Sequence, residues 1–240
     1  GGIRPLDPAF AARVRAVADH AGFPVVVDEI QSGMGRCGAF VAAERLGLRG
    51  DYYALGKALG GGVAKVSALL VDRDRYVSDF GLFHTSTFAE DDLGAIVARR
   101  ALEILDRDEL PRRAARAGDR LLERLEAVRA RHPGVVAAVR GLGLMVAFEL
   151  RPLGDSPSAF LRGFGPNLGW LAAGFLLAET GVRILPASPA TVLRLEPSAY
   201  VSDADLDRAA AALEHLSVVL ERADAGRLVR HLVRTSPGSP

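Results

Sequence analysis

Apolar and polar positions alternate along this chain in two periods, and the changes of period mark its elements. Behind Asp7-Pro8, the apolar positions Ala11, Val14, Ala16 and Val17 predict a capped amphipathic helix to about His20, ended by Gly22. The apolar run 23–27 then predicts a buried strand that stops at Asp28-Glu29. A short helix over 39–46, a strand over 51–55 and an apolar strand over 66–71 follow. Helical periodicity returns over 93–105 and 111–131, with Pro111 suited to a first turn and Pro133-Gly134 as a stop. Strands over 135–140 and 144–150 surround Gly141-Leu142-Gly143, read as a turn. The Pro-, Gly- and Ser-rich stretch 151–167 reads as a loop. A helix over 168–180, strands over 181–185 and 192–197, a helix capped by Ser202 and running to about Glu221, and a fading helix with a Ser/Pro/Gly tail complete the pattern. Helix, strand and glycine loop in this succession are the grammar of an α/β fold.

Composition narrows the picture without redirecting it. At 240 residues and 49% hydrophobic the chain can bury a sizeable core, as one large or two small domains. The net charge is +1, and arginines alternate with acids, as in Asp106-Arg107-Asp108-Glu109, so these runs read as solvated helix faces. No basic patch interleaved with aromatics argues for nucleic acid. No signal peptide is visible and no apolar run is long enough to span a bilayer, so cytoplasm is the expected location. The one cysteine, Cys37, excludes a disulfide framework and agrees with a reducing compartment. The histidines show no metal spacing, and His132 and His215 read as surface residues.

The chemistry concentrates in 23–62. The chain has two lysines, Lys57 and Lys65, among 30 basic Lys and Arg residues. Arginine cannot serve as an amine nucleophile at working pH, whereas lysine can. Lys57, in Leu55-Gly56-Lys57-Ala58-Leu59-Gly60-Gly61-Gly62, has a glycine-lined, apolar setting suited to a Schiff base with a carbonyl. Lys65 has no such motif. Asp28, at the carboxyl end of a buried strand, needs a cationic partner, and a protonated pyridine nitrogen would be one. A lysine Schiff base with an aspartate opposite the pyridinium nitrogen is the arrangement of pyridoxal phosphate (PLP) enzymes. The turn Gly33-x-Gly35-x-x-Gly38, with Asp51 further on, also matches a dinucleotide fingerprint. Five residues between strand and first glycine, and the negative charge of Asp28, weigh against that reading.

Asp28-Glu29-Ile30-Gln31-Ser32-Gly33-Met34-Gly35-Arg36-Cys37-Gly38 resembles the Asp-Glu-Val-Gln-Thr-Gly-x-Gly-Arg-Thr-Gly segment of class III (ornithine/acetylornithine/ω-amino acid) aminotransferases. The stretch around Lys57 resembles that family's lysine segment, in the same order and at a fitting separation. Phe83-His84-Thr85-Ser86-Thr87-Phe88 resembles its His-Gly-Ser-Thr-Phe segment, Arg140-Gly141-Leu142-Gly143-Leu144-Met145 the start of its small domain, and Arg194 its Arg-x-x-Pro segment.

The resemblance implies an α/β chain of PLP fold-type I: part of the large, mainly parallel sheet domain over 1–110, a linker helix and small α+β C-terminal domain over 111–225, and a tail over 226–240. It implies Lys57 as the Schiff-base lysine and acid/base, Asp28 on the pyridinium nitrogen and Gln31 near the 3-oxygen. Ser86 and Thr87 fall to the cofactor phosphate, Thr87 reaching that of a partner subunit in a homodimer. Arg194 falls to a substrate carboxylate, with Arg183 as a weaker candidate. Taken alone, Ser86-Thr87 also reads as a helix N-cap. The implied activity moves an amino group between an amino acid or ω-amine and a keto acid. The alternatives are an aminomutase, racemase or decarboxylase on the same fold, or a non-catalytic partner domain. Two features depart from the family. Ala89-Glu90-Asp91-Asp92 replaces its Gly-Gly-Asn-Pro-like continuation, and the resemblance covers only the latter part of a family member, so its phosphate-cup helix and ring-stacking aromatic are expected upstream.

Overall fold

The structure is a computed structural model that describes residues 2–83, 89 and 91–233. The chain forms two compact units, one holding Leu6–Arg116, the other the segment before it and the segment from Ala117 onward.

The first unit opens with helix α1, Pro8–Ala21. Asp7 caps it by accepting from the Ala9 amide at 2.7 Å, and Gly22 ends it at φ 74°. Strand β1 (Val26–Asp28) pairs in parallel with β2 (Tyr52–Leu55), and β2 pairs antiparallel with β3 (Ala68–Val71). Helix α2 (Ala42–Leu46) lies between β1 and β2 in sequence, α3 (Asp79–Phe83) and α4 (Asp92–Arg107) after β3. The apolar core of this unit, Met34, Val41, Ala43, Leu55 and Leu59, receives Val27 and Tyr53 from one face of the sheet. Because strand side chains alternate, Val26, Asp28 and Ala54 point to the other face.

That alternation corrects an expectation. The run 23–27 yields a three-residue strand that is not buried: Val26 is 64% exposed, and Leu69 and Leu70 on β3 are exposed too. Local apolarity reports that a residue can be covered, not that a layer lies over it. β1 is also an edge strand of its sheet among the described residues.

Helix α5 (Leu110–Arg131) carries the chain from one unit to the other. In the second unit β4 (Val136–Leu142) and β5 (Met145–Leu150) form a hairpin closed by Gly143-Leu144, and the sheet order is β4-β5-β7-β6, all antiparallel, with β6 at Leu185–Pro186 and β7 at Val192–Leu195. The stretch 151–167, expected to be loop, contains a short helix α6 (Ala159–Gly163), capped by Ser158. Helix α7 (Leu168–Thr180) packs on β6 and β7 and on α8 (Asp203–Glu221), and α9 (Ala225–Val233) packs on α7 and α8. Phe148, Phe175, Leu193 and Leu213 are fully buried there. Hairpin and α5 meet backbone to backbone: a Cβ on Gly118 would lie 2.1 Å from the Gly143 carbonyl oxygen. Along α5 and α8, Arg120 pairs with Asp203 at 2.7 Å, Arg124 with Asp207, and Arg131 with Glu214 at 2.8 Å. His132, expected at the surface, is 8% exposed and shares a hydrogen bond with Glu221 at 2.9 Å.

Candidate active site

The site in the first unit is built from the ends of two strands. In the parallel β1–β2 pair Asp28 is the register partner of Ala54, and Lys57 follows three residues beyond Ala54. Both therefore leave the sheet at its carboxyl edge, where open α/β sheets place their ligands. Lys57 begins a 3-10 turn, Lys57–Gly60, whose Leu59 is buried in the core below. Its backbone φ is 46°, a left-handed conformation rare for a residue with a side chain and concentrated at functional sites. The Lys57 side chain is exposed, and among the described residues its amine has no hydrogen-bond or ion-pair partner.

Asp28 is exposed, not buried as its apolar lead-in suggested. One carboxylate oxygen accepts from the Ile30 amide at 3.0 Å, which curls the chain away from the strand. The other has no partner among the described residues, so the group keeps a free acceptor. Gln31 is half-buried on the same turn. Lys65 lies three residues before β3, whose first residue Ala68 pairs with Leu55. It is thus at the same edge but on the far side of β2 from Asp28.

Sequence reasoning passed over Glu29, the residue that holds this turn. It is 1% exposed, and its carboxylate is fully used: one oxygen accepts from the Ala43 amide at 2.8 Å, the other from the Ser32 hydroxyl at 2.6 Å. The residue at the start of α2, Val41, offers no side-chain cap, so Glu29 supplies that acceptor from fourteen residues away. Its backbone is pinned as well, with its amide on the Ala54 carbonyl at 2.9 Å and its carbonyl taking the Gly33 amide at 2.9 Å. The only hint in the sequence was an acidic residue placed directly after Asp28.

The glycines of the turn are not a phosphate cradle. A Cβ on Gly35 would touch Pro111 at 3.3 Å, and one on Gly38 would meet Arg45 and Ala115, so both glycines admit the first turns of α5. Asp51, the acid of the dinucleotide reading, is committed elsewhere. It sits at the opposite edge of the sheet, bonded to Arg15 and to the Val25 amide, with Arg75 at 3.5 Å. The Arg15 hydrogen bond, then that amide, hold its pKa down to about 2.

Ser86 and Thr87 lie outside the described residues. The cap of α4 is Asp91, whose carboxylate accepts from the Gly94 amide at 2.5 Å, so this unexpected acid is turned into the helix. In the second unit Arg194 stands on β7 and, with Arg183 and Arg208, lines a recess of about 300 Å³. The Arg194 Nε is buried with no partner among the described residues. An unpaired buried guanidinium nitrogen is costly, and an anion would satisfy it.

Residues 1–217 match the family model described as aminotransferase class-III. The chain belongs to the class III aminotransferases. It is 35% identical over 226 residues to a diaminobutyrate–2-oxoglutarate aminotransferase of Rhizobium meliloti (strain 1021), covering 89% of this chain and 45% of that one. It is 35% identical over 219 residues to an ornithine aminotransferase of Bordetella pertussis, covering 90% and 48%. An ornithine aminotransferase structure from Toxoplasma gondii, with PLP at partial occupancy in its active site, superposes with a TM-score of 0.75 at 26% identity, over 90% of this chain and 48% of that one. The chain thus spans about half the length of these class III relatives, and its α/β architecture is that of fold-type I aminotransferases. Among the described residues no cluster could hold a metal ion, and no helix is long and apolar enough to cross a membrane.

Proposed function

We propose that the protein carrying this chain is a PLP-dependent aminotransferase that moves an amino group between an amino acid or ω-amine donor and a keto acid. The observation that carries this reading is the placing at one sheet edge of an amine, Lys57, just beyond β2, and a carboxylate, Asp28, at the end of the parallel neighbour β1, the amine and one carboxylate oxygen having no partner among the described residues. The donor set fits the cofactor at both ends of its ring. Asp28 would keep the pyridine nitrogen protonated, Gln31 would bond the 3-oxygen, and Ser86 and Thr87 would bond the phosphate. When bound, PLP supplies an aldehyde and an electron sink. Lys57 would be the amine that holds the aldehyde, and its nitrogen would hold and move the proton at the substrate α-carbon. Glu29 holds the Asp28–Gly33 turn in place. Arg194 would take a substrate carboxylate in a bidentate fork. The proposed assembly is a cytoplasmic homodimer, with Thr87 serving the partner subunit's cofactor.

The test uses the complete polypeptide. Reconstituted with PLP, it should show a visible absorption band and transfer an amino group to 2-oxoglutarate, and Lys57→Ala should remove both while leaving the thermal midpoint of the cofactor-free protein unchanged. A colourless wild-type protein, or a band that survives Lys57→Ala, would overturn the reading.

A further inference from the structure

Arg140, on β4, has all three guanidinium nitrogens engaged. Nε donates to the Ile3 carbonyl at 2.7 Å and one terminal nitrogen to the Gly2 carbonyl at 2.6 Å. The other terminal nitrogen donates to the Glu149 carboxylate on β5. Both side chains are largely buried, 19% and 20% exposed. Two successive carbonyls and a carboxylate on one planar fork is a geometry that lysine, a point charge on a flexible stem, cannot reproduce. The segment so held is strained: Ile3 has φ 46°, an outlier for a β-branched residue. The Gly2 amide adds a bond to the Ser188 carbonyl at 3.1 Å.

What the clamp presses down is the Ile3 side chain, 6% exposed and packed on Ala147 and Val192. Those two residues flank Arg194. Ala147 is its register partner on β5, and Val192 precedes it by two on β7, so all three share one face. Arg140 is in turn the register partner of Ala147, which places Arg140, Ala147 and Arg194 in one row across the sheet. Ile3 therefore fills the space on the Arg194 face that a small alanine leaves open.

We propose that Arg140, acting through Gly2-Ile3, is a positioning residue for Arg194: it wedges Ile3 beside Arg194 and restricts the guanidinium to the rotamers that meet a substrate carboxylate. This rests on the reading of Arg194 as the carboxylate-binding residue. A side chain already confined loses less freedom on binding, so the benefit appears as affinity for the group it contacts. The clamp should matter for donors with a carboxylate next to the reacting end and be silent for donors without one.

Glutamate and 4-aminobutyrate differ only by the carboxylate next to the amine, and serve as donors or as competitive ligands of the complete, PLP-loaded protein. In Arg140→Lys the KM or inhibition constant for glutamate should rise about tenfold and that for 4-aminobutyrate less than about twofold, with kcat nearly unchanged. Glu149→Gln keeps an acceptor for Arg140 while loosening the pair, and should give the same pattern in smaller measure. In an Arg194→Ala background, Arg140→Lys should have no further effect on glutamate. Equal weakening of both ligands, or an undiminished effect without Arg194, would overturn the proposal. The parent reading fails differently: Arg194→Ala would then leave the glutamate-to-4-aminobutyrate ratio unaltered.

Discussion

The two units treat their sheets in opposite ways. The second unit packs a four-stranded antiparallel sheet against α7 and buries Phe148, Phe175, Leu193 and Leu213 completely. The first leaves Val26, Leu69 and Leu70 of a three-stranded sheet exposed and sets its core cluster against the face that carries Val27 and Tyr53. Asp28 points to the face opposite that cluster. The difference teaches that the turn carrying Asp28, the proposed partner of a cofactor nitrogen, is held by few, specific bonds, whereas the second unit rests on bulk packing.

The sharpest test of that contrast removes one large side chain from each. Phe148→Ala should cost about 3–5 kcal/mol, because a closely packed core cannot collapse onto the hole, while Val26→Ala should cost less than about 0.5 kcal/mol. Urea denaturation measures both, and comparable losses would break the contrast. Next in size is Glu29→Ala, which strands the Ala43 amide and the Ser32 hydroxyl and should cost about 1–3 kcal/mol. Cofactor affinity should fall with it, since the Asp28–Gly33 turn loosens.

Asp51 gives an effect read in pH. Its pKa is lowered in the folded state, so its contribution is complete above the unfolded value of about 4 and is lost as pH falls toward about 2. The urea midpoint of the wild type should drop across that window, and Asp51→Asn should flatten the drop. The smallest effect belongs to the ion pairs of α5 and α8. Asp207→Asn should cost under about 1 kcal/mol and be masked by 1 M salt, because the acid is largely exposed.

How much was legible beforehand follows from how local each determinant is. Helices α1, α7 and α8 carry their own punctuation in Asp7, Gly22, Gly181 and Ser202, each within a few residues of the end it marks. The stretches carrying Asp28 and Lys57 were readable because a motif is contiguous. Glu29 was not, since its partner Ala43 is set by folding. Asp51 needed Arg15, 36 residues earlier. His132 looked like a surface residue because Glu221 is distant in sequence. The burial of β1 was misjudged because hydrophobicity along a strand cannot say what covers it. The helix at Ala159–Gly163 was hidden by its Pro-, Gly- and Ser-rich neighbours, although Ser158 is a proper cap.

The bare contact between Gly118 and Gly143 settles a matter that charge alone leaves open. Arg124 reaches Asp207 but also Asp203, at 3.6 Å, so after a slip of α5 by one turn it could still pair, with Asp203 in place of Asp207. A slip would also bring a residue with a Cβ against the Gly143 carbonyl, where no such atom fits. The missing side chain thus works as a detent: it lets α5 seat at a single notch along the hairpin, and the arginines only tighten what the notch has already chosen.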